Sequence, residues 1–146
     1  MQLVVCDPEN IPAWLYPSVL PNYPDPGISA TIPELGKTDF AALWKALGFD
    51  LPIEEALVYE DSRCDVGFPH DAPDCVLRIP QEFVTSLNSI APHERWRFAE
   101  KWAEFRYGQR PNKEQREESK KLLNIICDQA AHAAAQKHAM VLISSE

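Results

Sequence analysis

The segment 112-NKEQREESKKLLNIICDQAAHAAAQKHAMVLI-143 sets the architecture of the chain. Asn112 followed by Gln115 has the spacing of a capping box, in which each side chain bonds the backbone amide of the other residue. The helix that begins there runs to about Lys137, and residues 113–121 are almost all charged, which predicts that they face water or another chain. Its buried stripe consists of Leu122, Leu123, Ile126, Cys127, Ala130, Ala133 and Ala134. Residues 139–143 are a compact apolar run, typical of a buried strand.

A second apolar run identifies a partner for that terminal strand. Residues 75–79 combine β-branched and aliphatic side chains and end at Pro80, which indicates another strand. A helix that returns into a terminal strand favours packing on a sheet, because consecutive elements usually lie side by side. We therefore expect residues 141–143 to pair with residues 75–79, with residues 3–6 alongside.

Three shorter helices precede this segment, each marked by apolar residues at i, i+3, i+4 or i+7. The first follows Thr38, a good N-cap residue, and ends at Gly48. The second spans about residues 80–90, and the third runs from Pro92 to about Tyr107. Their apolar faces are Phe40, Leu43, Trp44 and Leu47, then Phe83, Val84, Leu87 and Ile90, then Phe98, Trp102 and Phe105. We expect all three faces to lie in the hydrophobic core.

The first part of the chain is rich in proline, with eight of the 13 prolines in residues 1–52. Each proline fixes φ and removes a backbone donor, which excludes a long helix or a central strand there. Apolar side chains interleave with the prolines, so residues 7–36 are predicted to be an extended arm lying on the globular body. Residues 53–59 fit a helix or a strand equally well. The predicted fold class is α+β: one domain, residues 1–146, with three to four helices packed on a small sheet and a proline-rich extended N-terminal arm.

Charge is distributed unevenly along the chain. Residues 1–75 hold 13 Asp and Glu against Lys37, Lys45 and Arg63, a net charge of −10, whereas residues 76–146 hold 11 Lys and Arg against 9 acids, or +2. An acidic surface attracts basic partners and repels a phosphate backbone, so we expect a basic protein partner and no nucleic acid. Residues 1–7 carry no basic leader, and no run reaches the roughly 18 apolar residues of a membrane span, so we expect a cytoplasmic protein with no membrane partner.

Few residue patterns suggest chemistry. Cys64, His70 and Cys75 could approach one ion, but their spacing lacks the paired ligands of a structural zinc site, so we expect no metal. Cys127 and His132 are five residues apart on a helix and do not share a face, which disfavours a thiol nucleophile paired with that base. No phosphate loop or other cofactor motif occurs, so we expect no cofactor and assign no catalytic residue.

The charge pattern favours a non-enzymatic binding protein that offers an acidic surface to a basic protein, in the manner of an inhibitor or immunity protein. The residues predicted to bind the partner are Glu54, Glu55, Glu60, Asp61, Asp65, Asp71 and Asp74, with Trp14 and Tyr59 among the aromatic anchors. Two alternatives stay open. One is a small enzyme with a site near the Cys64–Cys75 loop, and the other is a homo-oligomeric scaffold that assembles through the charged long helix.

Overall fold

The computed structural model describes residues 2–6, 28–31, 35, 37–49, 58–60, 75–108 and 110–144. Within this part of the chain lie four α-helices: α1 (Lys37–Ala46), α2 (Gln81–Ser89), α3 (Arg95–Tyr107) and α4 (Lys113–Gln136). A short 3₁₀ turn, Pro92–Glu94, leads into α3. The described part is mostly helical, and the predicted number of helices is confirmed.

Five short strands accompany the helices. They are β1 (Gln2–Cys6), β2 (Ile28–Thr31), β3 (Val58–Glu60), β4 (Cys75–Arg78) and β5 (Ala139–Ser144). Their hydrogen-bonded order is β2-β1-β5-β4-β3, and every neighbouring pair is antiparallel. In β5, Leu142 lies opposite Leu77 of β4 on one side and opposite Leu3 of β1 on the other. The terminal strand therefore has the two neighbours expected from its position after the long helix.

The long helix α4 connects the helices to the strands. It packs against α2 and α3 and also against β1 and β5, while α3 packs against α1. Leu3, Val5, Met140 and Leu142 belong to the same buried cluster as the apolar faces of the helices. Ala139 and Val141, which alternate with these residues along β5, are buried as well.

Aromatic contacts fill the core between α1 and α2. The rings of Trp44 and Phe83 stack with their centroids 4.2 Å apart and an interplanar angle of 9°. Phe49 meets the same Phe83 ring edge-on at 4.4 Å. Such offset and edge-to-face pairs add about 0.5–1.5 kcal/mol beyond the area that they bury. The Trp44–Phe83 stack joins α1 to α2. Phe49, which lies beyond the end of α1, adds a second contact with the same Phe83 ring.

Local signals mark several helix ends correctly. The Gln115 amide donates to Asn112 Oδ1 at 2.8 Å, and the Asn112 amide donates to Gln115 Oε1 at 3.0 Å, so the predicted capping box is confirmed. Gly108 ends α3 in the left-handed region, with φ of 66°, where an added Cβ would strain the backbone. Gly48 follows α1 with φ of 96°, consistent with the predicted stop.

Three predictions of detail are wrong. The α-helix α3 begins at Arg95 and not at Pro92, because residues 92–94 form the 3₁₀ turn. Thr38 is not the N-cap of α1, because the helix already includes Lys37. Phe105 is not in the core, because half of it is exposed, whereas Phe98 packs against the core and Trp102 is fully buried. The buried sector of α3 is centred instead on Ala99, Trp102 and Ala103, which neighbours α1 and α4 cover.

Most of the predicted arm, residues 7–27, 32–34 and 36, lies outside the described residues. Within the arm, Ile28–Thr31 is the strand β2, and Leu35 is buried. Of residues 53–59, only the last two are described, and they belong to β3. The arm as a whole therefore stays a prediction.

Candidate partner-binding surface

Most of the residues predicted to bind a partner lie outside the described part of the chain: Trp14, Glu54, Glu55, Asp61, Asp65, Asp71 and Asp74. Tyr59 and Glu60 belong to β3, where they lie opposite Leu77 and Val76 of β4. Only the strand positions of Tyr59 and Glu60 are described, and the acidic surface stays a prediction.

A buried polar cluster joins α1, α3 and α4. The Arg106 side chain, only 6% exposed, donates from Nε to Asp39 Oδ1 at 3.0 Å and from Nη1 to Ser119 Oγ at 3.2 Å. Its guanidinium also lies 5.1 Å from the ring centroids of Trp102 and Tyr107. Trp102 Nε1 donates to the backbone oxygen of Asp39 at 2.8 Å.

The partners of this cluster come from three helices, so it fixes their relative positions. Burying a charge costs several kcal/mol unless the charge is paired and hydrogen-bonded, and Arg106 meets both conditions. At the edge of the cluster, the Tyr107 hydroxyl donates to Glu118 Oε2 at 3.0 Å. Burial raises the pKa of Tyr107 above its ordinary value, and the bond to Glu118 raises it further. Because its hydrogen bonds are made within the chain, we assign the cluster a structural role.

A second ion pair connects the start of α3 to the middle of α4. Arg95 Nη1 lies 3.0 Å from Asp128 Oδ1 and 3.4 Å from Asn124 Oδ1. Cys127, next to this pair, is 1% exposed. Burial raises the pKa of its thiol to about 11, although the nearby Arg95 charge acts in the opposite direction. A buried thiol with a raised pKa is a poor nucleophile at neutral pH.

The described residues contain no group of three or more His, Cys, Asp or Glu that could hold a metal ion. Cys64 and His70 lie outside this part of the chain, and Cys75 begins β4. His132 is exposed on α4, and His138 is half-buried between α4 and β5.

The exposed face of α3 is the most distinctive surface of the described part. Trp96 and Phe105, each 50% exposed, are the large hydrophobic side chains that stand out into solvent there. At 100° per residue they are half a turn apart, so they border the two edges of the exposed face. Four exposed charged residues lie between them: Arg97, Glu100, Lys101 and Glu104.

Among the described residues, two of the shallow depressions that adjoin this face contain Trp96. One, of about 370 Å³, follows the exposed side of α3 itself. The other, of about 460 Å³, lies between α3 and the first turns of α4, and its lining consists of Trp96, Glu100, Lys113, Arg116, Glu117 and Lys120. Both are lined mostly by charged side chains, and they share Trp96 and Glu100. The charged start of α4 faces water, as its sequence predicts, except that Ser119 is buried against Arg106.

Sequence reasoning missed this face for an identifiable reason. It grouped Phe98, Trp102 and Phe105 into one core stripe and left Trp96 unassigned. The available signal was the position of Ala99 and Ala103, which together with Trp102 define a buried sector that excludes both Trp96 and Phe105.

Comparison with protein families, with curated proteins and with solved structures finds no match for this chain. Within the described residues, no helix is both long enough and apolar enough to cross a membrane.

Proposed function

We propose that this protein is a non-enzymatic binding protein that presents the acidic first half of its chain to a basic protein partner, as an inhibitor or immunity protein would. The observation that carries the proposal is the net charge of −10 on residues 1–75, against +2 on the remainder. A surface of one sign accelerates encounter with a surface of the opposite sign and suppresses partners of the same sign.

The proposal includes the architecture and the setting of the molecule. The chain forms one α+β domain, in which the helices pack on a small sheet and the proline-rich arm, residues 7–36, lies against the body. The protein acts in the cytoplasm, where free thiols are the normal state of cysteine. Anchors for the partner are Trp14 and Tyr59, because buried aromatic side chains contribute most to binding at protein interfaces.

Binding through this acidic surface depends on salt in a specific way. Raising the ionic strength from 0.1 M to 1 M shortens the Debye length from about 10 Å to about 3 Å, which screens long-range attraction. Association should therefore slow strongly with salt, while the folding stability of the protein changes little. Reversing charges at the acidic surface should have the same effect as salt.

The test compares capture of partners by the immobilised protein at low and at high salt, with the captured proteins identified by mass spectrometry. The informative variant is Asp61→Lys with Asp65→Lys. Its matched control is Glu82→Lys with Glu117→Lys, which makes the same change in net charge at exposed helical positions. We expect basic partners that are lost at high salt and lost with the first variant, but retained by the control.

Melting temperatures of both variants separate binding from folding. If the retained partners are acidic, or if retention is indifferent to salt and to the Asp61 and Asp65 substitutions, the acidic half only keeps the protein dispersed in water. The proposed function would then be wrong.

A further inference from the structure

Both faces of the terminal strand β5 are buried between Ala139 and Leu142. Met140 and Leu142 belong to the buried cluster that includes the helices, whereas Ala139 and Val141, which alternate with them, do not. Successive residues of a strand point to opposite faces of the sheet, so Ala139 and Val141 lie on the face that the helices do not cover. They are nevertheless only 5% and 1% exposed.

Neighbouring strands do not account for the burial of Val141. It lies in the central strand, opposite Val4 of β1 and Arg78 of β4, and these neighbours shield it from the two sides. An antiparallel sheet with one uncovered face leaves that face in contact with water, so a side chain that is 1% exposed there has a further layer of chain above it. Among the described residues, the helices pack on the other face. The layer therefore comes from the remainder of the chain.

The connection between β1 and β2 has the length and the endpoints for such a layer. The two strands are antiparallel neighbours, with Val5 opposite Ile28, and a two-residue turn would be enough to join them. Residues 7–27 join them instead. A segment of that length reaches up to about 70 Å when extended. Five strands span only about 20 Å, so the segment is long enough to cross the face and return.

The composition of this connection fits burial against an apolar face. Residues 10–24 contain no Asp, Glu, Lys, Arg or His, and four prolines there lack the backbone N–H that an irregular buried segment would leave without a partner. The large apolar and aromatic residues of the stretch are Ile11, Trp14, Leu15, Tyr16, Val19, Leu20 and Tyr23.

The other long segments outside the described residues are more acidic. Residues 50–57 hold three acids and residues 61–74 hold four. Covering the face with either segment would bring carboxylates close to an apolar surface, which costs free energy unless each charge is paired. Residues 10–24 can cover the same surface without this cost.

We propose that residues 7–27 dock across the face of the sheet that carries Ala139 and Val141, as a second apolar layer opposite the helices. An extended chain turns successive side chains in different directions, so the same segment can pack some aromatic side chains on the sheet and offer others, such as Trp14, to a partner. The proposal names the surface that holds the arm, and it does not depend on the basic partner proposed above.

Photochemical cross-linking in the purified chain tests which segment lies on this face. Val141 is replaced by a diazirine analogue of leucine, which on illumination inserts into groups within contact distance. The same analogue at Leu142, one position on and packed towards the helices, is the matched control. We expect position 141 to cross-link to residues 7–27 at least about tenfold more than position 142 does, because only side chains within about 4.5 Å are in contact.

Two further variants probe the contact from the arm. Leu15 and Leu20 are replaced by the same analogue, which keeps their size, so these variants remain informative if the variant at position 141 does not fold. At least one of them should cross-link to β5 or to a strand beside it. Mixing ¹⁵N-labelled and unlabelled protein distinguishes cross-links within one chain from cross-links between two copies.

The proposal is overturned if position 141 cross-links to residues 50–57, to residues 61–74 or to a second copy instead. It is also overturned if position 141 finds no segment beyond the sheet, or if neither Leu15 nor Leu20 cross-links to a strand. These measurements need no partner protein and do not vary the salt concentration or the charges of Asp61 and Asp65. Their outcome is therefore separate from that of the capture experiment.

Discussion

Replacing Trp102 with alanine tests the core of the molecule and the assignment of the two faces of α3. Trp102 is fully buried, its indole Nε1 donates to the backbone oxygen of Asp39 at 2.8 Å, and the Arg106 guanidinium lies over its ring. Trp102→Ala removes the ring, the hydrogen bond and the support for Arg106 together. A large loss of stability should follow.

The expected magnitude has two parts. Truncation of a buried Phe or Trp to Ala costs about 3–5 kcal/mol, because the neighbours collapse only partly into the cavity. Loss of the Trp102 hydrogen bond leaves the backbone oxygen of Asp39 without this donor and adds about 1 kcal/mol. We therefore expect Trp102→Ala to lower the free energy of unfolding by about 4–6 kcal/mol.

The assay is urea unfolding followed by circular dichroism, with Trp96→Ala as the matched control. The control makes the same substitution in the same helix, so the gain in helix propensity is equal, but Trp96 is half exposed and its loss should cost about 1 kcal/mol or less. Trp102→Phe keeps most of the apolar ring and loses the indole donor, and should cost about 1–2 kcal/mol. It remains measurable if the alanine variant does not fold.

Equal losses for Trp102→Ala and Trp96→Ala would refute the assignment of the buried and exposed faces. If Trp102→Ala lost capture of a protein partner but kept its free energy of unfolding, Trp102 would belong to a binding surface rather than to the core.

Three further predictions concern single interactions. Asp39→Asn should cost about 1–3 kcal/mol of unfolding free energy in urea melts, because it takes the ion-pair partner from the nearly buried Arg106. Asn112→Ala should cost about 1 kcal/mol in the same assay by removing the capping box, whereas Lys113→Ala, one position on and exposed, should cost less than about 0.5 kcal/mol. The Cys127 thiol keeps its proton in the folded state up to a pKa of about 11, against 9.0 in the unfolded chain. The contribution of this thiol to folding stability should therefore be fully present below pH 9 and fall by about 2–3 kcal/mol as the pH rises towards 11. Cys127→Ala should remove this part of the pH dependence. If the variant and the original protein lose stability in parallel between pH 9 and pH 11, the prediction is wrong.

Local signals in the chain were sufficient to place the helices. The capping box at Asn112, the glycines that follow α1 and α3, and the periodicity of the apolar residues located α1, α2 and α4 to within one or two residues, whereas α3 begins at Arg95, three residues after the expected Pro92. These signals depend on interactions between residues a few positions apart, and such interactions can be predicted from the sequence.

Contacts between distant segments could not be predicted from the sequence in the same way. From the sequence, Arg106 is an ordinary surface cation on a helix. In the fold it is nearly buried and joins three helices, because it bonds Asp39, 67 residues earlier, and Ser119 on α4.

The predicted acidic surface is a further example, since net charge can be counted along the chain but its arrangement in space cannot.

Phe105 separates what the sequence determines about α3 from what its packing determines. The chain alone predicted an amphipathic helix from Pro92 to about Tyr107 with an aromatic stripe, because periodicity depends only on 3.6 residues per turn. Which sector of that helix became the core depended on where α1 and α4 pack against it. Those neighbours cover Ala99, Trp102 and Ala103 and leave Trp96 and Phe105 half exposed, and only the tertiary structure could decide this because every contact involved joins segments distant in the sequence.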